Sequence, residues 1–408
     1  MKQIRIISEL YYPEETSTGY FVTGIAEGLA ASGGCAVSVL CAQPTYSQKG
    51  VLAPKRESRN GVGIQRLAAP AADNKTLLGR LWNTLSLTVR FGISMVGFIK
   101  RGDVVMVVTN PPSLPLFAVW IAKLKGAVPV LLVHDVYPDV LVPTGITQEG
   151  SMLYRFVDLL QRHMLRQMQR IIVLGRDMEE RIFAKLPKSD RNRFSIIPNW
   201  GDADTIHPDL RVSNRIRAGH ELEDKFIIQF SGNLGRTHGL EDLVALAERL
   251  RPRQDIHFLV FGWGAGRSWL EATIKELELT NMTLLPPCEK AELGDYLTAC
   301  DLFFMPFKKG MEGISVPSRL YNVMSAGNPI LAIAGSASEL AKVVNEESMG
   351  WVVEPGDIDS MVAVVEEAVL QPEGLATMSE HARAALEGKY TRAHVVRQFA
   401  DLFDDLSR

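Results

Sequence analysis

Residues Met311 to Pro329, MEGISVPSRLYNVMSAGNP, follow the apolar run Leu302-Phe303-Phe304-Met305-Pro306. They contain an acid, Glu312, a short loop, Val316-Pro317-Ser318-Arg319, and an apolar helical pattern closed by Ala326-Gly327-Asn328-Pro329. A strand, a loop with free backbone N–H groups and a helix N-terminus together suit phosphate oxygens. Arg319, in the first turn of that helix, is placed to fork onto a phosphate. An ordinary strand–loop–helix unit has the same pattern, so this stretch needs support from elsewhere in the chain.

Three other loops carry glycines after strands. Ser231-Gly232-Asn233-Leu234-Gly235-Arg236-Thr237-His238-Gly239 leads into the helical pattern Leu240 to Leu250. Three glycines, an arginine and a histidine at a helix N-terminus suit a diphosphate. Thr16-Ser17-Thr18-Gly19 stands where its amides could meet an anion, or where a plain turn is needed. Gly262-Trp263-Gly264-Ala265-Gly266 is close to a dinucleotide fingerprint. Its third glycine falls one residue early, and it does not occupy the first strand-to-helix turn of the chain, which disfavours a nicotinamide enzyme. No Walker A motif is present, which disfavours a P-loop NTPase. His134-Asp135-Val136-Tyr137-Pro138-Asp139 follows the apolar run Val130 to Val133. Titratable groups at the carboxyl end of a strand are site candidates, here with Asp139 close by in sequence. No G-x-S-x-G elbow occurs, which weakens a hydrolase reading.

The elements that must position these groups alternate regularly. Ile4 to Ile7, Val37 to Leu40, Val104 to Val108, Val128 to Val133 and Ile171 to Leu174 are short aliphatic runs separated by helical patterns. Such alternation predicts a parallel sheet with helices on both faces. Pro198-Asn199-Trp200-Gly201-Asp202 breaks the rhythm. The pattern then restarts with Phe226 to Phe230, His257 to Phe261, Met282 to Leu285, Leu302 to Met305, Ile330 to Ile333 and Trp351 to Val353. Two doubly wound α/β units joined near residues 199–210 are expected, with a site in the cleft between them. Thr391 opens a last helix whose apolar stripe, Val395 to Phe403, is expected to pack back across the junction.

A chain of 408 residues is too long for one ordinary core, in agreement with two domains. A formal net charge of −3 gives no case for nucleic-acid binding. The cysteines Cys35, Cys41, Cys288 and Cys300 lack metal-ligand spacing, and no secretory signal precedes them, so a reducing cytoplasm is expected. Leu81 to Ile99 and Pro112 to Ala122 are apolar, but the first is interrupted by polar residues and the second is too short to span a bilayer. They are core helices or surfaces that rest on a membrane. Arg155, Arg162, Arg166, Arg170, Arg176 and Arg181 are a solvated face or, with those stretches, a basis for docking on anionic lipid.

Taken in order, these pieces resemble the family 4 retaining glycosyltransferases of the GT-B fold. The resemblance is to the bacterial branch that builds surface polysaccharides, of the colanic-acid fucosyltransferase and L-fucosamine transferase type. Its markers are Tyr11-Tyr12-Pro13-Glu14 with Gly19, His134-Asp135, Pro198-Asn199-Trp200, Ser231 to Gly235 with Gly239-Leu240-Glu241, and Val316 to Leu320 with Gly327 and Pro329.

The resemblance implies two Rossmann-like domains facing across a cleft: 1–200 binding the acceptor, 201–390 binding the nucleotide-sugar, and 391–408 a helix crossing back. It implies that the Gly19 loop approaches the donor diphosphate and the acceptor, and that His134, with Asp135, serves catalysis at the donor sugar. Gly232, Asn233, Arg236, Lys309 and Val316-Pro317-Ser318-Arg319 would hold the diphosphate. Pro287, Cys288 and Asn322 would meet the nucleoside. The donor implied is a nucleotide-linked deoxysugar of the fucose or N-acetylfucosamine type, UDP- in preference to GDP-linked. The acceptor is a lipid-linked, undecaprenyl-type saccharide of O-antigen, capsule or exopolysaccharide synthesis, met at the inner-membrane surface. No cofactor or metal is implied.

Two departures stand out. Where the wider family has an Arg and a Lys after the first strand of the second domain, this chain has Asn233 and His238, so Arg236 or Lys309 must replace the charge. The family's paired glutamates fall at Ile314 and Asn322, which leaves Glu312 as the acid nearest the first position. A GT-B epimerase acting on the donor alone, or a catalytically degenerate GT-B partner subunit, are the competing readings.

Overall fold

The computed structural model describes residues 2–44, 51–68, 77–186, 190–208, 214–235 and 238–406. Its contacts divide the chain into two units: Met1–Val142 with Thr147–Pro198 and Ala393–Arg408, and Pro143–Ile146 with Asn199–Arg392.

The first unit opens β1 (Lys2–Ile7), α1 (Ser17–Ala31), β2 (Cys35–Ala42), β3 (Arg56–Arg59) and β4 (Val62–Leu67). It continues α2 (Leu77–Phe98), β5 (Val104–Val108), α3 (Leu114–Lys125), β6 (Val128–Leu132) and α4 (Met152–Gln167). β7 (Arg170–Val173), α5 (Arg176–Ala184) and β8 (Phe194–Ile196) complete its sheet, whose order is β3-β4-β2-β1-β5-β6-β7-β8. Buried on both faces, the central strands read as unbroken aliphatic runs; all five residues of β5 are buried. Among the described residues only the β3–β4 pairing of this sheet is antiparallel. That hairpin escaped the sequence reading because Arg56-Glu57-Ser58-Arg59 has no apolar alternation. Its signal was the turn Asn60-Gly61, where both residues take positive φ, 48° and 79°.

Right-handed crossovers that run one way from β1 to β2 and the other way from β4 to β7 put α1 on one face and α2, α3 and α4 on the other. α2 turns Leu87, Phe91 and Met95 inward, yet it also exposes Trp82, Leu85, Val89, Ile93 and Val96. Among the described residues no helix is long and apolar enough to cross a membrane.

The second unit contains α6 (Arg215–Gly219), β9 (Phe226–Asn233), α7 (Leu240–Arg249), β10 (Ile256–Trp263), α8 (Arg267–Glu276), β11 (Met282–Leu285) and α9 (Leu293–Leu297). It continues β12 (Leu302–Pro306), α10 (Arg319–Ser325), β13 (Ile330–Ile333), α11 (Glu339–Glu346), β14 (Gly350–Val353), α12 (Ile358–Leu370) and α13 (Pro372–Lys389). Its sheet is wholly parallel, in the order β11-β10-β9-β12-β13-β14. Phe230, Phe258 and Phe304 from adjacent strands share one core with Leu243 and Leu246 of α7. Trp200 is buried, and the Gly201 amide donates to the Tyr390 carbonyl at 3.1 Å. The Pro198-Asn199-Trp200 marker is therefore a packing feature of the chain.

The last helix, α14 (Arg392–Asp405), buries Val395, Phe399 and Phe403. Its Val396 lies against α1 of the first unit, where a Cβ on Gly28 would come within 2.6 Å of the valine.

Candidate active site

A doubly wound sheet opens its ligand crevice where strand order reverses. In the second unit that point lies between β9 and β12, and two predicted segments meet there. β9 ends in Ser231-Gly232-Asn233, and α10, the next helix after β12, begins with Arg319. Arg319 Nη1 donates to the Ser231 carbonyl at 3.0 Å, and its guanidinium lies 4.9 Å from the centre of the Phe230 ring. Gly232 leaves it room, since a Cβ there would approach Arg319 Nη1 to 3.4 Å. A carbonyl and a ring do not neutralise a cation, and no carboxylate pairs with Arg319 among the described residues. Burial lowers its pKa to about 10, so the side chain stays charged at neutral pH.

The resemblance puts His238 where the wider family has a lysine. Burial first, and then the Arg319 charge, lowers it to about 3, so it is neutral at physiological pH. The histidine cannot supply the missing cation. Arg236 lies outside the described residues.

The Gly262 segment has a packing role. Gly262 pairs in register with Gly232, and a Cβ on it would stand 1.8 Å from the Gly232 carbonyl oxygen. A Cβ on Gly264 would stand 2.6 Å from Asn233 Oδ1. These glycines let β10 press against the loop that follows β9. Sequence reasoning treated them as a failed fingerprint and missed that they shape the 232–235 loop.

The remaining predicted residues of this unit lie on neighbouring loops. Lys309 is exposed in the turn after β12, and Val316 is buried ahead of the partly exposed Pro317 and Ser318. Glu312 packs against Gly335, where a Cβ would come to 2.6 Å from Oε1, beyond the end of β13. Ile314 is a core residue, 1% exposed. Asn322 Oδ1 accepts from the Asp202 amide at 3.1 Å. Of the two positions that the resemblance assigns to the family's glutamates, one is core and the other holds main chain. Pro287 and Cys288 follow β11, whose end is tied to β10 by Arg267 Nη1, donating to the carbonyls of Leu285 at 2.8 Å and Gly262 at 3.0 Å.

In the first unit strand order reverses between β1 and β5, and His134 follows β6, the next strand along. Thr109 Oγ1 accepts from the amides of His134 and Asp135 at 3.1 and 3.4 Å. Thr18 Oγ1 lies 3.1 Å from His134 Nδ1, which orients the ring and leaves Nε2 for another partner. Burial lowers His134 to about 4 and raises Asp135 to about 6. At neutral pH the pair is a neutral imidazole beside a mostly ionised carboxylate. The Gly19 amide donates to Thr16 Oγ1 at 3.3 Å, capping α1, and a Cβ there would stand 2.6 Å from the Glu14 carbonyl. Gly19 thus seats the Tyr11–Glu14 turn on α1.

Asp139 does not join His134 and Asp135 as a reactive group. Lys185 Nζ lies 2.5 Å and Arg181 Nε 2.9 Å from its carboxylate, and Lys185 also reaches Asp158 at 2.7 Å. Arg162 completes this closed network at 2.6 Å from Asp158. Two of the arginines read from the sequence as a basic face are therefore structural. Glu9, which no motif marked, is buried just beyond β1, and burial with the nearby Glu14 charge raises it to about 7.

Two doubly wound units, each carrying polar side chains at the carboxyl ends of its strands by the reversal point, define a protein of the GT-B class. One family model, the Glycosyl transferase 4-like domain, matches residues 18–200, and a second, Glycosyl transferases group 1, matches residues 212–385. The chain is a glycosyltransferase of this group 1, family 4 type. It is 27% identical over 400 residues to the probable glycosyltransferase WbjE of Pseudomonas aeruginosa, covering 98% of this chain and 97% of that one. It is 26% identical over 401 residues to the putative colanic acid biosynthesis glycosyl transferase WcaI of Escherichia coli K12, with 95% and 96% covered. Anabaena HepE, solved in complex with UDP and glucose, shares the fold with a TM-score of 0.74 at 12% identity over 99% of this chain and 100% of that one. Sucrose-phosphate synthase from Thermosynechococcus elongatus does so with a TM-score of 0.72 at 16% identity over 100% and 99%.

Proposed function

We propose that this glycosyltransferase moves a sugar from a nucleotide-sugar to a lipid-linked saccharide at the inner-membrane surface, with the anomeric configuration retained, in the synthesis of a surface polysaccharide. The observation that carries the donor half is Arg319: a charged guanidinium without a carboxylate partner, held across the reversal point of the second sheet beside Gly232. Negative charge develops on a nucleoside diphosphate as it leaves, and a preorganised, poorly solvated cation stabilises that charge well. Lys309 and Arg236 are its proposed helpers, with the amides of Gly232, Asn233 and the Val316 to Ser318 segment. Pro287, Cys288 and Asn322 are proposed to meet the nucleoside. In the first unit, neutral His134 is proposed to hydrogen-bond a sugar hydroxyl through Nε2. The departing phosphate oxygen takes the acceptor proton, so no strong protein base is needed; Asp135 and Glu312 are proposed to steady the positive charge of the sugar.

The likeness to WcaI supports a polysaccharide product, and the UDP in the HepE complex supports UDP over GDP as the carrier. Fucose- and N-acetylfucosamine-type sugars are the first donors to try. Purified protein, given a panel of UDP- and GDP-sugars and a membrane extract, is expected to consume one donor only when acceptor is present. Product from donor alone would point to an epimerase. Consumption of none would leave the partner-subunit reading, which the core position of Ile314 favours.

A further inference from the structure

More than half of the large hydrophobic side chains exposed among the described residues lie on three consecutive helices, α2, α3 and α4. These helices share one face of the first sheet and touch in series. Thr88 of α2 and Ser113, just ahead of α3, lie 2.8 Å apart through their hydroxyls. Trp120 of α3 stands edge-on to His163 of α4, and Lys123 donates to Gln167 at 2.5 Å. Their outward apolar residues therefore form one surface. Ile93 of α2 is 72% exposed, Leu124 of α3 is 87% exposed and Met152 of α4 is 90% exposed. Trp82, Trp120 and Phe156 add exposed aromatic rings. Contiguous apolar surface on this scale marks an interaction site.

Charge decides what covers it. The three helices contain one acid, Asp158, and it is buried and already paired with Lys185 and Arg162. Exposed cations stand among and beside the apolar residues: Arg90, Lys123, Lys125, Arg155 and Arg166. The chain as a whole has a net charge of −3, so this one-sided face is a local feature. A second copy docked through the same face would bring two sets of cations together. An anionic bilayer meets both needs, because the rings and aliphatic chains enter the headgroup boundary while lysines and arginines pair with lipid phosphates.

We infer that the α2–α3–α4 face is the surface by which this enzyme lies on an anionic membrane, with Trp82, Ile93, Trp120, Leu124 and Phe156 inserted. This rests on the reading of the acceptor as lipid-linked, and it assigns the part of the protein that meets the lipid.

The test is co-sedimentation of the full chain with vesicles of phosphatidylethanolamine and phosphatidylglycerol, and with neutral phosphatidylcholine vesicles. Wild type is expected to bind the anionic vesicles, and to bind them several-fold more weakly in high salt. The triple substitution Ile93→Ser, Trp120→Ser, Phe156→Ser is expected to weaken partitioning about tenfold or more. A second variant, Arg155→Glu with Arg166→Glu, is expected to abolish the preference for anionic lipid and keeps every apolar residue. UDP binding should be the same in all three proteins, which shows that the variants are folded. Unchanged vesicle binding by both variants, or no binding by wild type, overturns the inference. So does a wild-type dimer in lipid-free solution that the triple substitution dissociates. Docking without donor consumption would sink the functional reading alone; donor consumption without docking would sink this inference alone.

Discussion

Arg319 Nη1 and the Ser231 carbonyl oxygen, 88 residues apart, meet at 3.0 Å across the reversal point of the second sheet. The contact fixes where the guanidinium points without neutralising it. Even a half-buried charge costs stability when no counter-charge stands beside it. Its position beside Gly232 is understandable if an anion supplies the missing charge.

Arg319→Met should therefore separate stability from activity. The variant is expected to be within about 1 kcal/mol of wild type in urea unfolding, or more stable, because a half-buried charge with no carboxylate partner is removed. Sugar transfer should fall about 100-fold or more, the usual cost of losing one preorganised charge-stabilising group. A variant that unfolds readily while its folded fraction transfers sugar normally would assign Arg319 to the scaffold.

Gly262→Ala tests how the loop after β9 is shaped. A Cβ 1.8 Å from the Gly232 carbonyl oxygen must push the two strand ends apart, and Gly262 also has a φ of +146°. A destabilisation of about 2 kcal/mol or more is expected, together with weakened nucleotide binding. Wild-type affinity by calorimetry in this variant would show that the packing of β10 does not set the site.

The fold and the candidate loops differ in how far the sequence revealed them. Buried parallel strands such as Val104–Val108 announce themselves as unbroken aliphatic runs. Arg319 and Gly232 stood out as candidates because glycine and a cation near a helix N-terminus suit an anion, and the structure brings the two segments together. Glu9, the contact from Thr18 to His134 and the engagement of Asn322 by Asp202 were not legible. Each depends on where a strand end stops relative to a segment tens or hundreds of residues away, and periodicity carries no such information. Asp139 illustrates the opposite error: adjacency to His134 in sequence suggested shared chemistry, but the chain turns it toward Lys185.

Lys185→Ala should expose the nature of that network. It leaves the Asp139 and Asp158 carboxylates buried with only Arg181 and Arg162 at their edges. Breaking a buried network by removing one partner costs about 3–5 kcal/mol. Chemical unfolding should show that loss, and the folded fraction should retain wild-type kcat. A loss of kcat without loss of stability would return Asp139 to the site.

Glu9 gives the stability a pH signature. Its folded pKa of about 7 lies above the ordinary 4.5, so the folded state holds the proton more tightly than the unfolded state. The advantage is fully present below pH 4.5 and is lost as pH rises through 7. Histidine 134 acts with the opposite sign: its folded value of about 4 lies below 6.5, so stability is lost as pH falls through that interval. Comparing Glu9→Gln with wild type cancels the histidine contribution. The variant should gain about 2–3 kcal/mol on wild type between pH 4.5 and pH 8. A difference that stays flat across that range in urea titrations would mean that Glu9 is not held protonated.

The most direct test of the central claim is the affinity of UDP, GDP and uridine for wild type and Arg319→Met by isothermal titration calorimetry. The account predicts that wild type binds UDP far more tightly than uridine, and more tightly than GDP. It also predicts that Arg319→Met loses most of the gain contributed by the diphosphate while binding uridine as before. Equal UDP affinity in the two proteins, or a wild type that binds no nucleotide, would contradict it.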